Sequence, residues 1–264
     1  MIGCGNMGAA ILQSLINKKI FKASAIGVSE SDPKRRAGLK KKFGVHLTDN
    51  ITIAQVCEVM LLAVKPQQMK DVLVEKAPQL SPKTLIISIA AGLDTSFFAT
   101  HLPPKTRLIR VMPNMGIMIG MGATGLFAGP FAKPQDKTLA KKIFTAGGTA
   151  LFVSEESLLD SVTAVSGSGP AFVFLFIQAL IDAGMGVGLP PAISRDFVLQ
   201  TVRGSLEIVS QSSEKIPELI QKIASKGGTT EAGLQALEKD GFVSLIQKTI
   251  TAASLRAKEL RCIS

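Results

Sequence analysis

Three glycines at the start of the chain are spaced to bind an anion through the backbone. Met1-Ile2-Gly3-Cys4-Gly5-Asn6-Met7-Gly8 contains a Gly-x-Gly-x-x-Gly loop and runs directly into an amphipathic stretch, residues 9–17. In such a loop the first glycine allows a tight turn and the second lets the backbone approach a pyrophosphate. The third lets the following helix lie close on a sheet, with its free N–H groups facing the phosphates. Gly3, Gly5, Asn6, Met7 and Gly8 are therefore the first candidate cofactor contacts. A short apolar strand pattern, residues 25–28, returns after the helix and completes a βαβ unit of the size a dinucleotide site needs. Only Met1 and Ile2 precede the glycines, so the first strand is expected either to be unusually short or to begin before the residues given.

Two further small-residue loops lie in the second half. Ser166-Gly167-Ser168-Gly169-Pro170-Ala171 leads into a long apolar run, and Ala224-Ser225-Lys226-Gly227-Gly228-Thr229-Thr230 stands just before Glu231 opens a new helix. Two glycines followed by two threonines at a helix start offer free backbone N–H groups and hydroxyls, the equipment for gripping a carboxylate. The alternative is a capped helix start with Thr229 or Thr230 as N-cap. The two histidines, His46 in an early loop and His101 at the end of a predicted helix, are read as structural or solvated. Cys4, Cys57 and Cys262 are odd in number and have neither CxxC nor metal spacing. No metal site is expected, and a reducing cytoplasm is the natural compartment.

These loops need elements to hold them. With 264 residues and 27.9 kDa the chain is long enough for two modest domains, each with its own core. Apolar runs of strand length alternate with helical patterns through the first half, as a doubly wound parallel sheet requires, most clearly at residues 58–64, 84–89 and 106–112. Each run ends in a loop: Ala63-Val64-Lys65-Pro66, then Ala90-Ala91-Gly92, then Met112-Pro113-Asn114. In an open α/β sheet, ligands bind beyond the carboxyl ends of the strands, so these three loops and the glycine loop should converge on one crevice. After Phe152-Val153 everything reads as helix, with Pro170, Pro190-Pro191 and Pro217 at helix starts and Phe242, Leu245, Ile246, Ile250 and Ala253 forming one apolar face. The expected fold class is α/β: residues 1–153 form an N-terminal Rossmann dinucleotide-binding domain, followed by an all-helical domain over residues 154–264.

The hydrophobic content of 46% and mean hydropathy of +0.32 are high for a soluble monomer, and there is no Trp or Tyr. Residues 171–181 carry only Gln178 as a polar interruption, which falls well short of the roughly 20 residues that span a bilayer. That run reads as a helix apolar all round, buried in a core or a subunit interface. The formal charge of +10 could suggest nucleic acid or an anionic lipid surface. However, Lys34-Arg35-Arg36 and Lys40-Lys41-Lys42 sit on one predicted helix without aromatic interleaving, which is the pattern of a solvated face. Neither a nucleic-acid nor a membrane partner is expected; a positive field would help an anionic cofactor and a carboxylate substrate. Cofactor choice rests on the end of the second strand, Val28-Ser29-Glu30-Ser31-Asp32-Pro33-Lys34-Arg35. Ser29, Ser31, Lys34 and Arg35 fit a 2′-phosphate and Glu30 fits a ribose hydroxyl, a balance that favours NADPH while leaving NADH possible.

Taken together and in order, these pieces resemble the Δ1-pyrroline-5-carboxylate reductase family. The resemblance runs through Gly3-Cys4-Gly5-Asn6-Met7-Gly8, Val64-Lys65-Pro66, Ala90-Ala91-Gly92, Arg110-Val111-Met112-Pro113-Asn114, Ser166-Gly167-Ser168-Gly169-Pro170, and Gly227-Gly228-Thr229-Thr230 to Gly241-Phe242. It implies NAD(P)H-dependent hydride transfer to the C=N bond of 1-pyrroline-5-carboxylate, giving L-proline in the last step of proline biosynthesis. It also implies a helical dimerisation domain that interlocks with its partner in a homodimer, with a decamer of dimers as a larger assembly. By the same resemblance, Gly227, Gly228, Thr229 and Thr230 hold the substrate carboxylate, with Thr230 near the ring nitrogen as the catalytic hydroxyl. Ser168 faces the substrate, and Pro113 and Asn114 approach the nicotinamide, with Ala63, Val64, Lys65, Pro66, Ala90, Ala91 and Gly92 on the cofactor side. One departure is Lys226, where the family commonly has proline. A β-hydroxyacid dehydrogenase, the runner-up among enzymes, needs a lysine one turn into the helix after a glycine-rich loop, and Ala171-Phe172-Val173-Phe174 has none. A non-catalytic dinucleotide-binding protein would not need the carboxylate loop.

Overall fold

The computed structural model of the chain describes residues 1–263; the side chains of Lys76, Ala77, Cys262 and Ile263 lie outside the described set. The chain divides into two compact units, Met1–Ser168 together with Ala252–Ser264, and Gly169–Thr251.

In the first unit the elements run α1 (Asn6–Asn17), β1 (Gly27–Val28), α2 (Pro33–Phe43), β2 (His46–Leu47), α3 (Asn50–Val56), β3 (Val59–Leu62), α4 (Pro66–Lys76) and β4 (Leu85–Ser88). They continue with α5 (Thr95–His101), β5 (Arg107–Met112), β6 (Gly122–Ala128), α6 (Pro134–Thr145), β7 (Gly148–Phe152) and α7 (Leu158–Val162). The helix starts follow from short acidic side chains that take up otherwise unpaired backbone N–H groups. Asp32 accepts from Lys34 N at 2.8 Å and Pro33 supplies a preset φ. Asp49 and Asp94 cap α3 and α5 in the same way. Helix α2 ends at Phe43, and the left-handed φ of 66° at its C-cap, Gly44, closes the helix.

β1 and β2 pair in parallel, and β3 to β7 form a second sheet in sequential order. Ile2 joins them, bridging to Ser29 on one side and to Leu62 on the other. The short first strand expected from Met1-Ile2 is thus a single bridging residue at the centre of the sheet. The sheet is not wholly parallel, as the alternating pattern had suggested. β5 and β6 run antiparallel, Ile109 opposite Ala128 and Met112 opposite Gly125, while β6 and β7 are parallel. The segment 113–121 explains this, because it is shorter than the dozen or so residues that a parallel crossover needs. It folds instead into a 3-10 turn, Met115–Ile119, closed by Gly120 at φ 76°. Neither β6 nor β7 stands out in the sequence, since glycines and alanines break up their apolar pattern.

Alternate side chains point to opposite faces of the sheet, so each strand feeds two cores. Leu61, Leu85, Ile87, Ile109 and Val111 pack with α1 and α6 through Ile11, Leu12, Ile143 and Phe144. Met60, Leu62, Ile86 and Leu108 pack with α3, α4 and α5 through Ile53, Met69, Leu73 and Phe98. Arg110 shares the face of Leu108 and is buried.

From Leu158 onward the described chain is helical. The second unit holds α8 (Gly169–Gly186), α9 (Pro191–Gln211), α10 (Ile216–Ile223), α11 (Thr229–Lys239) and the start of α12 (Phe242–Ile263). Of the two homes expected for the apolar run at 171–181, the core of this chain is excluded, since α8 buries none of its residues and Leu175 is 71% exposed. The run is also longer than the sequence pattern indicated. Leu158–Gly186 reads as one helix of 29 residues, long and apolar enough by length and composition to cross a membrane, with only 6% of its most apolar window buried.

Gly148 has φ 142°, and a Cβ added there would collide with the carbonyl oxygen of Gly122, its partner across the β6–β7 ladder. Gly148→Ala is therefore expected to destabilise the protein by about 2 kcal/mol, read as a lower denaturant midpoint with an unchanged slope; unaltered stability would show that this approach carries no strain.

Candidate functional site

The glycine loop sits where the sheet leaves least room. Gly3 has φ 78°, and a Cβ there would come within 2.8 Å of both Ala63 O and Val64 Cγ1. A Cβ on Gly8 would meet Gly3 O at 3.2 Å and Ala63 Cβ at 3.3 Å. The first and third glycines thus let α1 and the loop after β3 press together. Gly5 is the N-cap of α1 and contributes no capping side chain, so the N–H groups of the first turn, Asn6 to Gly8, remain available to an anion. Both features fit a pyrophosphate cradle.

At the end of β1 the Glu30 carboxylate folds back onto this loop. It accepts from Cys4 N at 2.9 Å through one oxygen and from Asp32 N at 2.9 Å through the other, with Ser31 Oγ at 3.5 Å. Arg35, one turn into α2, places a guanidinium nitrogen 3.2 Å from where a Gly5 Cβ would stand. Ser31 and Lys34 are exposed beside it, and Ser29 pairs with Ile2. The type of Glu30 is visible in the sequence, but its role as a clasp on the loop is not. Burial, helped by the Glu30 charge, pushes the Cys4 thiol up to about 11, so this loop cysteine stays neutral.

The remaining loops of the first unit leave the carboxyl ends of β3, β4 and β5, as expected. Ala63-Val64-Lys65 follows β3, and Pro66 opens α4. Ala90 and Gly92 are partly or wholly buried and Ala91 is exposed; Gly92, at φ 79°, lies under the last turns of α12, a Cβ there falling 3.4 Å from Leu260 O. A small cavity of about 30 Å³ is lined by Ala91, Arg110, Met112, Asp160, Thr163 and Leu260 among others. Behind it, Arg110 Nη1 donates to Glu156 Oε1 at 2.7 Å, and Glu156 also accepts from Thr95 N at 2.7 Å and from Thr95 Oγ1 at 2.6 Å. This buried cluster ties β5, the start of α5 and the chain after β7 together, and nothing in the spacing of those three residues announces it.

Pro113 is buried at the end of β5, and Asn114 follows it with its side chain fully engaged by neighbouring backbone. After α7 the helix widens into a π-helical turn, Thr163–Gly167, in which Ser168 N reaches Thr163 O at 2.8 Å. Such turns recur at functional sites. Ser168 closes it, half-buried, at the end of the first unit.

In the second unit the candidate carboxylate loop forms the start of α11. Its N-cap is Gly228, not a threonine, so the capped-start alternative does not hold. Gly227, at φ 73°, donates its N–H to Glu231 Oε2 at 2.6 Å. Thr229 and Thr230 occupy the first turn, and among the described residues their hydroxyls have no protein partner. His101 stacks on Phe97 with ring centroids 4.5 Å apart, and His46 is exposed in β2, so neither belongs to the site loops. Among the described residues no cluster of ligating side chains could hold a metal ion.

A sheet that gathers a Gly-x-Gly-x-x-Gly cradle and three further loops at its carboxyl edge, followed by helices, defines a dinucleotide-binding protein of Rossmann type. Comparison with known proteins narrows the class. Residues 156–260 match the family described as pyrroline-5-carboxylate reductase dimerisation, and residues 1–92 match the one described as NADP oxidoreductase coenzyme F420-dependent. A pyrroline-5-carboxylate reductase of Synechocystis is 42% identical over 98% of this chain and 97% of its own length. The solved structure of the Coxiella burnetii enzyme superposes with a TM-score of 0.93 at 38% identity, covering 98% of this chain and 96% of that one. The Plasmodium falciparum enzyme, crystallised with NADP bound, gives 0.88 at 32% identity over the same shares. The chain belongs to the pyrroline-5-carboxylate reductase family.

The buried ion pair yields a direct test. Glu156→Ala strands the Arg110 guanidinium, which is 5% exposed, without its partner. A loss of about 3 kcal/mol in denaturant unfolding is expected, and a loss below about 0.5 kcal/mol would show that water takes the partner's place.

Proposed function

We propose that this protein reduces 1-pyrroline-5-carboxylate to L-proline with a reduced nicotinamide cofactor, using residues 1–153 to hold the dinucleotide and residues 154–264 for substrate and dimer contacts. The observation that carries this reading is the joint presence of a cradle too tight for a Cβ at Gly3 and a helix start at Gly228 whose threonine hydroxyls are unspent. A cofactor site alone would serve many proteins; a second loop suited to a carboxylate serves an imino-acid reductase.

When bound, the reduced nicotinamide supplies the hydride. The chain's own part is binding and orientation, which suffices for a reaction needing neither nucleophile nor metal. Gly5, Asn6, Met7 and Gly8 hold the pyrophosphate through backbone N–H groups, and Gly3, whose own N–H is bonded to Ser29 O, gives the turn its room. Ala63, Val64, Lys65 and Pro66 wall the crevice, and Ala90, Ala91, Gly92, Pro113 and Asn114 shape its nicotinamide end. The substrate carboxylate goes to the free N–H groups of Thr229 and Thr230 at the positive end of α11, while Gly227 and Gly228, whose N–H groups are taken by Glu231 and Ser225 O, shape the turn that presents them. Thr230 directs its hydroxyl to the ring nitrogen, and Ser168 bounds the pocket. A threonine hydroxyl is a poor acid at neutral pH, so Thr230 orients by hydrogen bonding while the proton comes from water or arrives on an already protonated imine.

NADPH is the preferred cofactor, with NADH accepted less well. Arg35 beside Gly5, with exposed Lys34 and the Ser29 and Ser31 hydroxyls, suits a 2′-phosphate, and Glu30 is already occupied by two backbone N–H groups. The apolar surface of α8 packs against a second copy of the chain in a homodimer, with a decamer of dimers as the larger assembly, and not against lipid. The exposed basic face of α2 is solvated and does not mark a nucleic-acid site. A cytoplasmic location accords with thiols held without a disulfide pattern.

Loss of reduced-nicotinamide absorbance on adding 1-pyrroline-5-carboxylate, with proline as product, tests the reading; no turnover while NADPH still binds would point to another imine or to a non-catalytic protein. Thr230→Ala is expected to lower kcat about 10- to 100-fold, as for the loss of one positioned hydrogen bond in a transition state, with NADPH affinity unchanged. Unchanged turnover would remove Thr230 from the mechanism. Changing Ser31 and Lys34 together to Ala should raise KM for NADPH about tenfold and leave KM for NADH nearly where it was. Equal losses would undo the phosphate assignment.

A further inference from the structure

Asn114 stands at the tip of β5, where the reading above places the nicotinamide, yet its amide is committed to the protein. Oδ1 accepts from Gly116 N at 3.2 Å and from Ala123 N at 3.0 Å, which fills both its lone pairs. Nδ2 donates to Ser166 O at 3.1 Å. The orientation of the amide is settled by these partners, because the two N–H groups must face the oxygen and the carbonyl must face the nitrogen. Ser166 returns the contact, its Oγ donating to Ala123 O at 2.9 Å. One side chain therefore joins the loop after β5, the first residues of β6 and the π-helical turn Thr163–Gly167 that ends at Ser168.

We propose that Asn114 is a positioning residue: it fixes the nicotinamide-side loop at Pro113 to the turn that presents Ser168, so that cofactor and imine are held in mutual register. The proposal rests on the assignment of these two loops to cofactor and substrate. In an ordinary α-helix the Ser166 carbonyl would accept from the N–H of residue 170, but that residue is proline and has none, so the oxygen is left for the Asn114 amide. Hydride transfer is sensitive to small displacements, and a misplacement of about 1 Å can cost about 100-fold.

Asn114→Asp is nearly isosteric, keeps both acceptor roles and opposes a carboxylate oxygen to the Ser166 carbonyl. Ser166→Ala keeps the carbonyl that Asn114 reaches and removes only the second strut of the same junction, the Oγ contact to Ala123 O, with little risk to folding. Both are compared with the parent for NADPH affinity, kcat and KM with 1-pyrroline-5-carboxylate, melting temperature, and the isotope effect on kcat with NADPH deuterated at C4. The expected result is NADPH affinity within about twofold of the parent in both variants, a kcat lower by about 10- to 100-fold in Asn114→Asp and by several-fold in Ser166→Ala, and a larger isotope effect as hydride transfer becomes the slow step. A tenfold loss of NADPH affinity in Asn114→Asp with kcat at saturation intact would make Asn114 a cofactor ligand and overturn the proposal. So would an unchanged kcat in both variants, or a fall in kcat that follows melting temperature with no change in isotope effect. Ser168→Ala tests the underlying assignment separately: if its KM and kcat for the imine are unaltered, Ser168 is not on the substrate side, whatever the Asn114 variants do.

Discussion

Everything at the carboxyl edge of the sheet depends on how one residue is paired. Ile2 donates to Leu61 O at 2.8 Å and accepts from Ala63 N at 2.8 Å, while on the other side Gly3 N reaches Ser29 O and Ser29 N reaches Met1 O, both at 2.9 Å. Two hydrogen bonds to each neighbour make Met1-Ile2 a strand in function although it is too short to be one in length. Without this ladder the pair β1–β2 would be separate from β3, and the glycine loop would have no fixed wall to turn against. Because Gly3 then lies within van der Waals limits of Ala63 and Val64, the cradle's shape is set by backbone on both sides. Such a cradle is organised before any anion arrives, which removes part of the ordering cost that binding would otherwise carry.

The edge is stiffened by groups that the chemistry does not consume. Glu30 clasps the glycine loop through Cys4 N, and Arg110, Glu156 and Thr95 hold β5 to α5. Arg110 faces the same core as Leu108, so its charge is tolerable only because Glu156 reaches in from beyond β7 to meet it. Buried pairs of this kind add little net stability but a great deal of specificity in where a strand must sit.

How much of this could be read from the residues depended on whether the signal was local. The glycine cradle, the strands β3, β4 and β5 and their loops follow patterns within a few residues, and each appears inside its expected range. The proline-started helices of the second half do likewise. β6 and β7 were not legible because Gly122, Gly125 and Gly148 are chosen for close backbone approach, which erases the alternation a strand would otherwise display. The antiparallel turn from β5 to β6 was hidden for the same reason: a connection too short for a crossover is evident only once both strands are known. Asp94, Asp49 and Asp32 cap helices within three residues of themselves, whereas Glu156 looks like any surface acid until Arg110 and Thr95, distant in sequence, are brought to it.

The helical half raises the opposite problem, a surplus of signal with no home in the chain. α8 is apolar except along the edge where Gln178 donates to Asp182, it buries none of its residues, and Phe174, Leu175 and Phe176 are exposed together. At roughly 25 cal/mol per Å², leaving such a surface in water is untenable for a folded protein, and the family's dimerisation match over residues 156–260 names the remedy. Of the core and the interface expected for this helix, the core of the chain is excluded, and the dimerisation match supports the interface. The Gly227–Thr230 loop, proposed above for the substrate, belongs to this same unit. Its turn, with φ 73° at Gly227, is held by Glu231 on the Gly227 N–H and by Ser225 O on the Gly228 N–H. On the proposed reading, the helices that carry this loop are the ones whose packing a second copy completes, which makes association and substrate recognition aspects of one folding problem.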